Sequence, residues 1–443
     1  MNQRTNLISN SAFKFFVFTL FWTLFLAGSY LSASAALLPN VEISLDESFR
    51  AAMKRSETLS SQDEQLFQAQ ERRWQAQGSL FPQISGGATY FIQQSPSDPL
   101  TQSFFPSSQP TVKLTVTQAL FRGLREFAVL NQMNHLSQAQ ENRRNQVLIT
   151  LYSDVAQNFF DLMTYREELK NLTSEIALHE ERIADLRKRA HTGQSSENEP
   201  LAASSAKATV QAQMKQVEAQ YRNAQELFTF LTDLPQDSSL KYELSRGDAA
   251  VPIQTYLTAA EKRPDILAAQ AEMEAYQAQV TSAKGEHLPT IDLMGNYYFV
   301  RPVGVFSDIK WDVQATVTLP IFSGGVIHSR VKEAASKKIQ AELALTQTRR
   351  RVTQEIRTFY QSYQSNLEQV QVLQQAMELA ERNYRVLKKD YARGLTRNLE
   401  VLQALTQFQE NKRSLDRTRW TAQSNWVRLR ILSTLQSPPS ARN

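Results

Sequence analysis

The alternation of apolar and polar residues predicts two pairs of β-strands along the chain. Between Lys310 and Leu319, every second residue from Trp311 onward is apolar and the intervening residues are polar. Segments near 83–92, at 111–118 and at 290–299 share this two-residue period, which is weakest in the first. Strands of about ten residues with one apolar face are typical of a transmembrane β-barrel, and a half-buried soluble hairpin gives the same alternation.

A very long helix is predicted after each strand pair. Between Gly325 and Gly394 there is neither proline nor internal glycine, and about 70 helical residues span roughly 100 Å. Apolar residues recur there from Ile356 to Tyr391 about every 3.5 positions, which is the coiled-coil period. A similar stripe runs through residues 151–176. Both helices therefore need a partner helix to cover the stripe.

The two halves of the chain form an internal tandem repeat. An offset of 201 residues aligns three pairs: Phe121 with Phe322, Gly123 with Gly324, and Gly193 with Gly394. Upstream of the strands the offset is 207, so the connection between the strands is six residues shorter in the second half. We predict a first repeat at 36–240 with a hairpin at about 82–121, and a second repeat at 241–443 with a hairpin at about 289–322.

The N-terminal segment predicts export. Arg4 and Lys14 precede an apolar run, and Ala33-Ser34-Ala35 has the small residues of a cleavage site. We expect residues 1–35 to be a signal peptide, with an uncleaved membrane anchor as the alternative. Export favours the membrane interpretation of the strands. Four strands cannot close a barrel, and open edges are not tolerated in lipid, whereas three chains supply twelve strands.

The composition and the motifs of the sequence argue against most kinds of catalytic site. The 443-residue chain has no cysteine, which excludes disulfides, thiolate metal sites and a cysteine nucleophile. Its net charge of +5 is spread along the chain without a basic block, which argues against nucleic-acid binding. The sequence contains no P-loop or Gly-rich nucleotide motif, and its five histidines lack ligand spacing. We therefore predict no enzyme activity, no cofactor and no metal.

These features together resemble the TolC family of outer-membrane efflux proteins. The most specific segment is Leu319–Gly325, LPIFSGG, which is similar to the strand-to-helix junction of the family. The segments 263–269, 288–291 and 391–404 resemble further family motifs in the same order. The resemblance implies a mainly α protein with transmembrane β-strands. Three chains would form a homotrimeric, 12-stranded β-barrel with four strands per chain, continuous with a long periplasmic α-helical barrel.

The resemblance also implies a function and partners. We expect a channel in the outer membrane of a Gram-negative bacterium, surrounded by outer-membrane lipid. It would serve a tripartite efflux or type I secretion system, in which a periplasmic adaptor protein connects it to an inner-membrane transporter. The alternatives are a periplasmic adaptor or a coiled-coil structural protein of the envelope.

Three groups of residues match functional positions of the family. The predicted entrance constriction consists of Glu400, Gln403, Tyr391 and Glu199. The predicted adaptor-docking tips consist of Thr192, Gly193, Gln194, Arg393, Gly394 and Leu395. The strand–helix junctions consist of Pro320, Phe322, Gly324, Gly325, Phe121 and Gly123.

Each of these assignments has a simpler alternative. The resemblance implies two acidic residues one turn apart at the constriction, whereas here Glu400 is acidic and Gln403 is not; Glu199, the repeat equivalent of Glu400, could add a second acidic ring. Glu400 can equally be a solvated glutamate, Tyr391 a packing residue, and each tip glycine a plain helix end.

The second junction has a clear physical interpretation. Pro320 suits a strand end because it cannot donate to a ladder, and Gly324 and Gly325 can adopt dihedrals that other residues avoid. In the first half, Ala119 and Leu124 replace the proline and the second glycine. This difference implies either a differently shaped first junction or one relaxed by its neighbours.

Overall fold

The structure is a computed structural model that describes most of the chain. The described residues are 42–98, 101–102, 106–236, 238–242, 251–303 and 306–434. The predicted signal peptide lies outside them. Among the described residues, no helix combines the length and the apolar character needed to cross a membrane.

Both repeats contain the predicted pair of strands followed by a very long helix. The first repeat contains β1 (Glu42–Ile43), α1 (Leu45–Arg55), α2 (Glu57–Gly78), β2 (Gln83–Ile92), β3 (Ser108–Arg122), α3 (Arg125–His191) and α4 (Asn198–Thr232). β4 (Ser239–Leu240) ends the predicted first repeat. The second contains α5 (Ile253–Ala260), α6 (Pro264–Gly285), β5 (Thr290–Val300), β6 (Trp311–Thr318), α7 (Val326–Ala392) and α8 (Asn398–Leu432). The two longest helices both have 67 residues, which confirms the internal repeat.

The main sheet contains one hairpin from each repeat. Its strands are antiparallel in the order β2-β3-β5-β6, so β2 and β6 are its edges. The register places Leu114, Tyr297 and Trp311 opposite one another on the apolar face. The other face is polar: the Thr115 hydroxyl donates to Asn296 Oδ1 (2.9 Å), and Asn296 Nδ2 donates to Asp312 Oδ1 (2.8 Å). The predicted alternation is therefore confirmed.

The second hairpin ends earlier than the sequence predicted. β3 continues through Phe121 to Arg122, whereas β6 stops at Thr318, four residues before the expected end at 322. Pro320 cannot donate to a ladder, and β6 has no strand on its outer edge in the described chain. The end of β3, by contrast, is held by pairing with β5.

The predicted helix seam is buried against neighbouring helices. In α3, four members of the predicted stripe are buried: Val155, Phe159, Leu162 and Leu172. In α7, Ile356, Tyr363 and Tyr391 are buried, whereas the intervening members are half-buried in the single chain. The largest apolar cluster lies where α1, α3, α4 and α8 meet the short parallel ladder of β1 and β4.

Local sequence explains where several helices begin. At α1, Ser44 and Glu47 form a capping box, in which each side chain accepts from the other residue's backbone N–H. At α6, Pro264 occupies the first turn, where its missing N–H costs nothing. Arg263, just before it, is buried and pairs with Asp265 (2.8 Å) and Glu355 (2.7 Å), which ties α6 to α7.

Candidate functional site at the helical tips

The first tip connects α3 to α4 through an exposed turn. Gly193 has a φ of +71°, which ends α3 in the left-handed conformation common at helix ends. The N–H of Gln194 donates to the Arg189 carbonyl at 2.8 Å, which closes the turn. Thr192, Gly193 and Gln194 are all exposed.

The second tip connects α7 to α8 with the same geometry. Gly394 has a φ of +75°, and the N–H of Leu395 donates to the Asp390 carbonyl at 2.9 Å. Arg393, Gly394 and Leu395 are exposed. The two glycines thus form helix-ending turns, and their role in adaptor docking stays a prediction.

The structure brings together two of the four predicted constriction residues. The Tyr391 hydroxyl donates to Glu199 Oε2 at 2.6 Å, so the end of α7 is tied to the start of α4. Glu400 and Gln403 lie apart from this contact, exposed on the first turns of α8. The Glu400 carboxylate accepts a hydrogen bond from the Thr396 hydroxyl. An acidic ring at Glu400 therefore stays a prediction.

A buried arginine organises the tip from inside. The Arg182 guanidinium lies 4.0 Å from the centre of the Tyr391 ring and is 7% exposed. It donates to Asn398 Oδ1 from Nε (3.0 Å) and Nη2 (2.7 Å). Asp185, 3.3 Å away, supplies a countercharge. We name the group of Arg182, Tyr391, Glu199 and Asn398 the tip cluster.

The surroundings of the tip cluster shift the pKa values of Tyr391 and Arg182. Burial raises the pKa of Tyr391, and the hydrogen bond to the Glu199 carboxylate raises it further, so the phenol stays a neutral donor. Burial lowers the pKa of Arg182, which the nearby Tyr391 and Asp185 oppose. The cluster joins the ends of α3, α4, α7 and α8.

Sequence reasoning missed Arg182 and Asn398, although the repeat contains a signal for them. Asn383 replaces Arg182 at the equivalent position of the second repeat, and Glu197 is the equivalent of Asn398. Ala190 is likewise the equivalent of Tyr391. Three of the four residues of the cluster thus differ from their repeat equivalents in charge or size. Within the described chain, no group of three or more histidines and acidic residues is arranged to hold a metal ion.

At the other end of the long helices, the two junctions share one backbone shape. Gly123 and Leu124 have φ values of +68° and +59°, and Gly324 and Gly325 have +61° and +85°. Leu124 adopts the left-handed conformation despite its side chain. Of the two alternatives for the first junction, a different backbone shape is therefore wrong at this pair, and relaxation by its neighbours stays a prediction. Phe121 is half-buried, whereas Pro320 and Phe322 are exposed.

Comparisons with known proteins agree with this arrangement. The family described as Outer membrane efflux protein matches residues 49–232 and 255–433. Outer membrane protein TolC of Escherichia coli (strain K12) is 25% identical over 218 residues, which are 45% of this chain and 44% of that protein. Proteases secretion protein PrtF of Dickeya chrysanthemi is 25% identical over 169 residues, which are 37% of each chain. The alignments thus span less than half the length of these two relatives.

The fold comparison covers nearly the whole chain. The outer membrane protein VceC of Vibrio cholerae superposes with a TM-score of 0.77 at 18% identity, over 88% of this chain and 95% of that one. This likeness confirms the predicted class, a mainly α protein with transmembrane β-strands and a long helical extension. The chain belongs to the outer membrane efflux protein family, whose members are channel proteins of the Gram-negative outer membrane with a large periplasmic helical part.

Proposed function

We propose that this chain is the outer-membrane channel of a tripartite efflux or type I secretion system. It would pass substrates from an inner-membrane transporter and a periplasmic adaptor protein to the outside, without covalent chemistry. The observation that carries the proposal is that each repeat joins two strands of one sheet directly to a helix of 67 residues. At 1.5 Å per residue, such a helix is about 100 Å long, far more than a bilayer is thick. Family membership sets aside the adaptor and the filamentous protein as alternatives.

The assembly we propose is a homotrimer with a 12-stranded barrel. Each chain offers four strands, with β2 and β6 as unpaired edges of the described sheet, and lipid does not tolerate open edges. The apolar face of the sheet would contact outer-membrane lipid, and the polar face with Thr115, Asn296 and Asp312 would line the channel.

The long helices also need neighbouring copies. On α7, Val372, Leu379 and Val386 are at least half exposed and repeat every seven residues. This is the spacing of a coiled-coil seam, and no described helix covers these three side chains.

The helical tips are the proposed entrance and docking surface. The exposed turns at Gly193 and Gly394 would receive the adaptor, and the tip cluster would hold the entrance closed. Three Glu400 carboxylates around the axis would concentrate negative potential and favour cations.

Ion conductance tests the channel and the Glu400 ring together. We expect the purified protein to give small cation-selective currents in a planar lipid bilayer. Glu400→Ala should lower the cation selectivity because it removes one charge per chain from the ring. Glu197→Ala, which removes an exposed acid from the other tip turn, is the matched control and should leave the selectivity unchanged.

The outcomes separate the parts of the proposal. Equal selectivity in the wild type and Glu400→Ala would keep the channel and remove the ring. A well-folded assembly without any conductance would contradict an open channel in the isolated protein.

A further inference from the structure

Two glycine backbones touch at the first junction. A Cβ atom on Gly123 would overlap the carbonyl oxygen of Gly285 and lie 3.0 Å from its carbonyl carbon. A Cβ on Gly285 would likewise overlap the Gly123 oxygen and lie 2.7 Å from Arg125 Cγ. Because both residues lack a side chain, the end of α6 packs directly on the turn into α3. We call this the glycine contact.

The repeat contains a second pair of glycines in the same two places. Gly324 is the equivalent of Gly123, at an offset of 201, and Gly78 is the equivalent of Gly285, at an offset of 207. No described atom lies within 4 Å of a Cβ built on either residue. The second pair therefore has the backbone for the same contact and makes none within the described chain.

The helix that ends at Gly78 has an open apolar stripe. In the chain, α6 packs against both α3 and α7, whereas α2 packs against α3. Phe67, Trp74 and Phe81 follow a seven-residue spacing with Gly78 between the last two, and each is 56–60% exposed. Leu288, the equivalent of Phe81, lies beside the glycine contact, with its Cβ 3.1 Å from a Cβ on Gly123. Two members of the stripe, Phe67 and Phe81, thus have equivalents beside α3 and the turn into it, namely Glu274 next to His135 and Leu288 next to Gly123.

We propose that Gly324 of one chain packs against Gly78 of the next copy of this chain, as Gly123 packs against Gly285 within the chain. The inference rests on the ring-shaped channel proposed above and names the contact that closes it. The second repeat of one chain then packs on the first repeat of the next chain in the same way as the first repeat packs on the second within one chain. The exposed stripe of α2 becomes covered by α7 of the neighbour, whose Val326, Ile339 and Leu343 are at least half exposed.

The same operation fixes the register between chains. Within the chain, Thr115 lies opposite Asn296 and Val116 opposite Gly295. The repeat equivalents of Thr115 and Val116 are Thr316 and Val317, at an offset of 201, and those of Asn296 and Gly295 are Thr89 and Ala88, at an offset of 207. We therefore expect Thr316 to lie opposite Thr89, and Val317 opposite Ala88, of the neighbouring copy.

An independent observation supports this register. Thr316 pairs with Asp292 and Thr89 with Thr111, so both threonines lie on the polar face of the sheet. A one-residue slip would place a polar residue opposite an apolar one along the whole seam. Repeat equivalence did not have to give matching faces, and it does.

The chemistry of the open surfaces fits a second copy of the chain. Within the chain, Arg122 pairs with Asp292 (2.8 Å), and Arg417 pairs with Glu168 (2.6 Å). The equivalents between chains would be Ser323 with Ser85 and Gln216 with Gln369. His135 lies beside Glu274 (3.1 Å), and the equivalents are Ser336 and Phe67. Uncharged and apolar residues thus replace these polar and charged pairs, as expected of a permanent interface between subunits.

Alanine at Gly78 tests the glycine contact. In the single chain a Cβ at Gly78 meets open space, and alanine favours the helix, so Gly78→Ala should leave the fold of the chain intact. In the ring it would overlap the backbone of the neighbour, and we expect about tenfold or greater loss of assembled protein at equal concentration. Gly295→Ala is the matched control, because Gly295 lies on the inner strand β5, away from both edges of the sheet, and a Cβ there has only ordinary contacts at 3.9 Å or more. Assembly would be measured by native mass spectrometry in detergent.

A cysteine pair tests the register. The chain has no cysteine, so Thr89→Cys with Thr316→Cys introduces the only two thiols. Directly opposite Cα atoms in a sheet lie about 4.5–5.5 Å apart, within disulfide range. Oxidation should join neighbouring chains covalently. The pair Phe91→Cys with Thr316→Cys, displaced by two residues, should cross-link far less.

The results distinguish this inference from the channel proposal. If the wild type assembles and conducts ions while Gly78→Ala assembles equally well, the glycine contact is wrong and the channel stands. Preferential cross-linking of the displaced pair would overturn the register. A wild-type protein that stays a single chain in detergent and in membranes would overturn both.

Discussion

The two strand–helix junctions have one backbone and two different surroundings. Both pass through consecutive residues with positive φ before a helix of 67 residues. Gly123 is buried against Gly285, whereas no described atom lies near a Cβ on Gly324. Leu124 tolerates the conformation that Gly325 provides in the second repeat. The comparison shows that the turn from strand to helix requires the same backbone dihedral angles in both repeats. The atoms packed around each junction then determine which side chains fit there.

The largest expected difference between the junctions follows from alanine at the two equivalent glycines. Gly123→Ala and Gly324→Ala each add a Cβ at positive φ, which costs about 1–2 kcal/mol. Only the first Cβ also meets backbone, which adds about 1–3 kcal/mol. Urea unfolding of the dilute, unassembled chain in detergent should therefore show the greater loss for Gly123→Ala. Equal losses would mean that the glycine contact does not constrain the chain.

A smaller and opposite effect is expected one residue later. Leu124 is 57% exposed and pays the strain of a φ of +59°, so Leu124→Gly should raise the free energy of unfolding by about 0.5 kcal/mol. Gly325→Leu should lower it by about 1–2 kcal/mol for the same reason. The same denaturant titrations measure both. A loss of stability in Leu124→Gly would show that contacts of the leucine side chain outweigh the strain.

Most of the fold was predictable because the same pattern of strands and helices occurs in both halves of the sequence. The seven-residue stripe between Ile356 and Tyr391, the two-residue period in the strands, and the glycines at 193 and 394 each predicted an element that the structure contains. The early end of β6 at Thr318 was not predictable in this way. It depends on whether a neighbouring strand exists beyond Pro320, which pattern alone does not reveal.

The site was predicted less completely than the fold. Tyr391 and Glu199 were identified, and their hydrogen bond joins them. Arg182 and Asn398 were not, because a buried arginine on a helix has the same spacing in the sequence as a solvated one. Only the packing of α3 against α8 shows that Arg182 is desolvated and needs Asn398. Differences between repeats, rather than similarities, point to such residues.

The long helix of the first repeat contains a buried histidine, His179, that the long helix of the second repeat lacks. The pH dependence of stability that follows from it is the smallest of the effects predicted here. His179 is buried 4.0 Å from Glu175, which pairs with Arg413, and its Nδ1 finds no partner within the described chain. The equivalent position in α7 is Ala380. Burial lowers the pKa of His179 below 6.5 and raises that of Glu175 above 4.5, with Arg413 opposing the second shift.

The sign of the pH dependence follows from these directions. Below pH 6.5 the unfolded chain binds a proton at His179 more readily than the native chain does, so the free energy of unfolding falls as pH falls. The raised pKa of Glu175 has the opposite effect, because it lowers the free energy of unfolding as pH rises above 4.5. Glu175 is present in both the wild type and the His179→Leu variant. His179→Leu should therefore lose less stability than the wild type between about pH 7.5 and 5.5. Urea titrations followed by circular dichroism at each pH give the two curves, and parallel curves would show that His179 titrates alike in the native and unfolded chains.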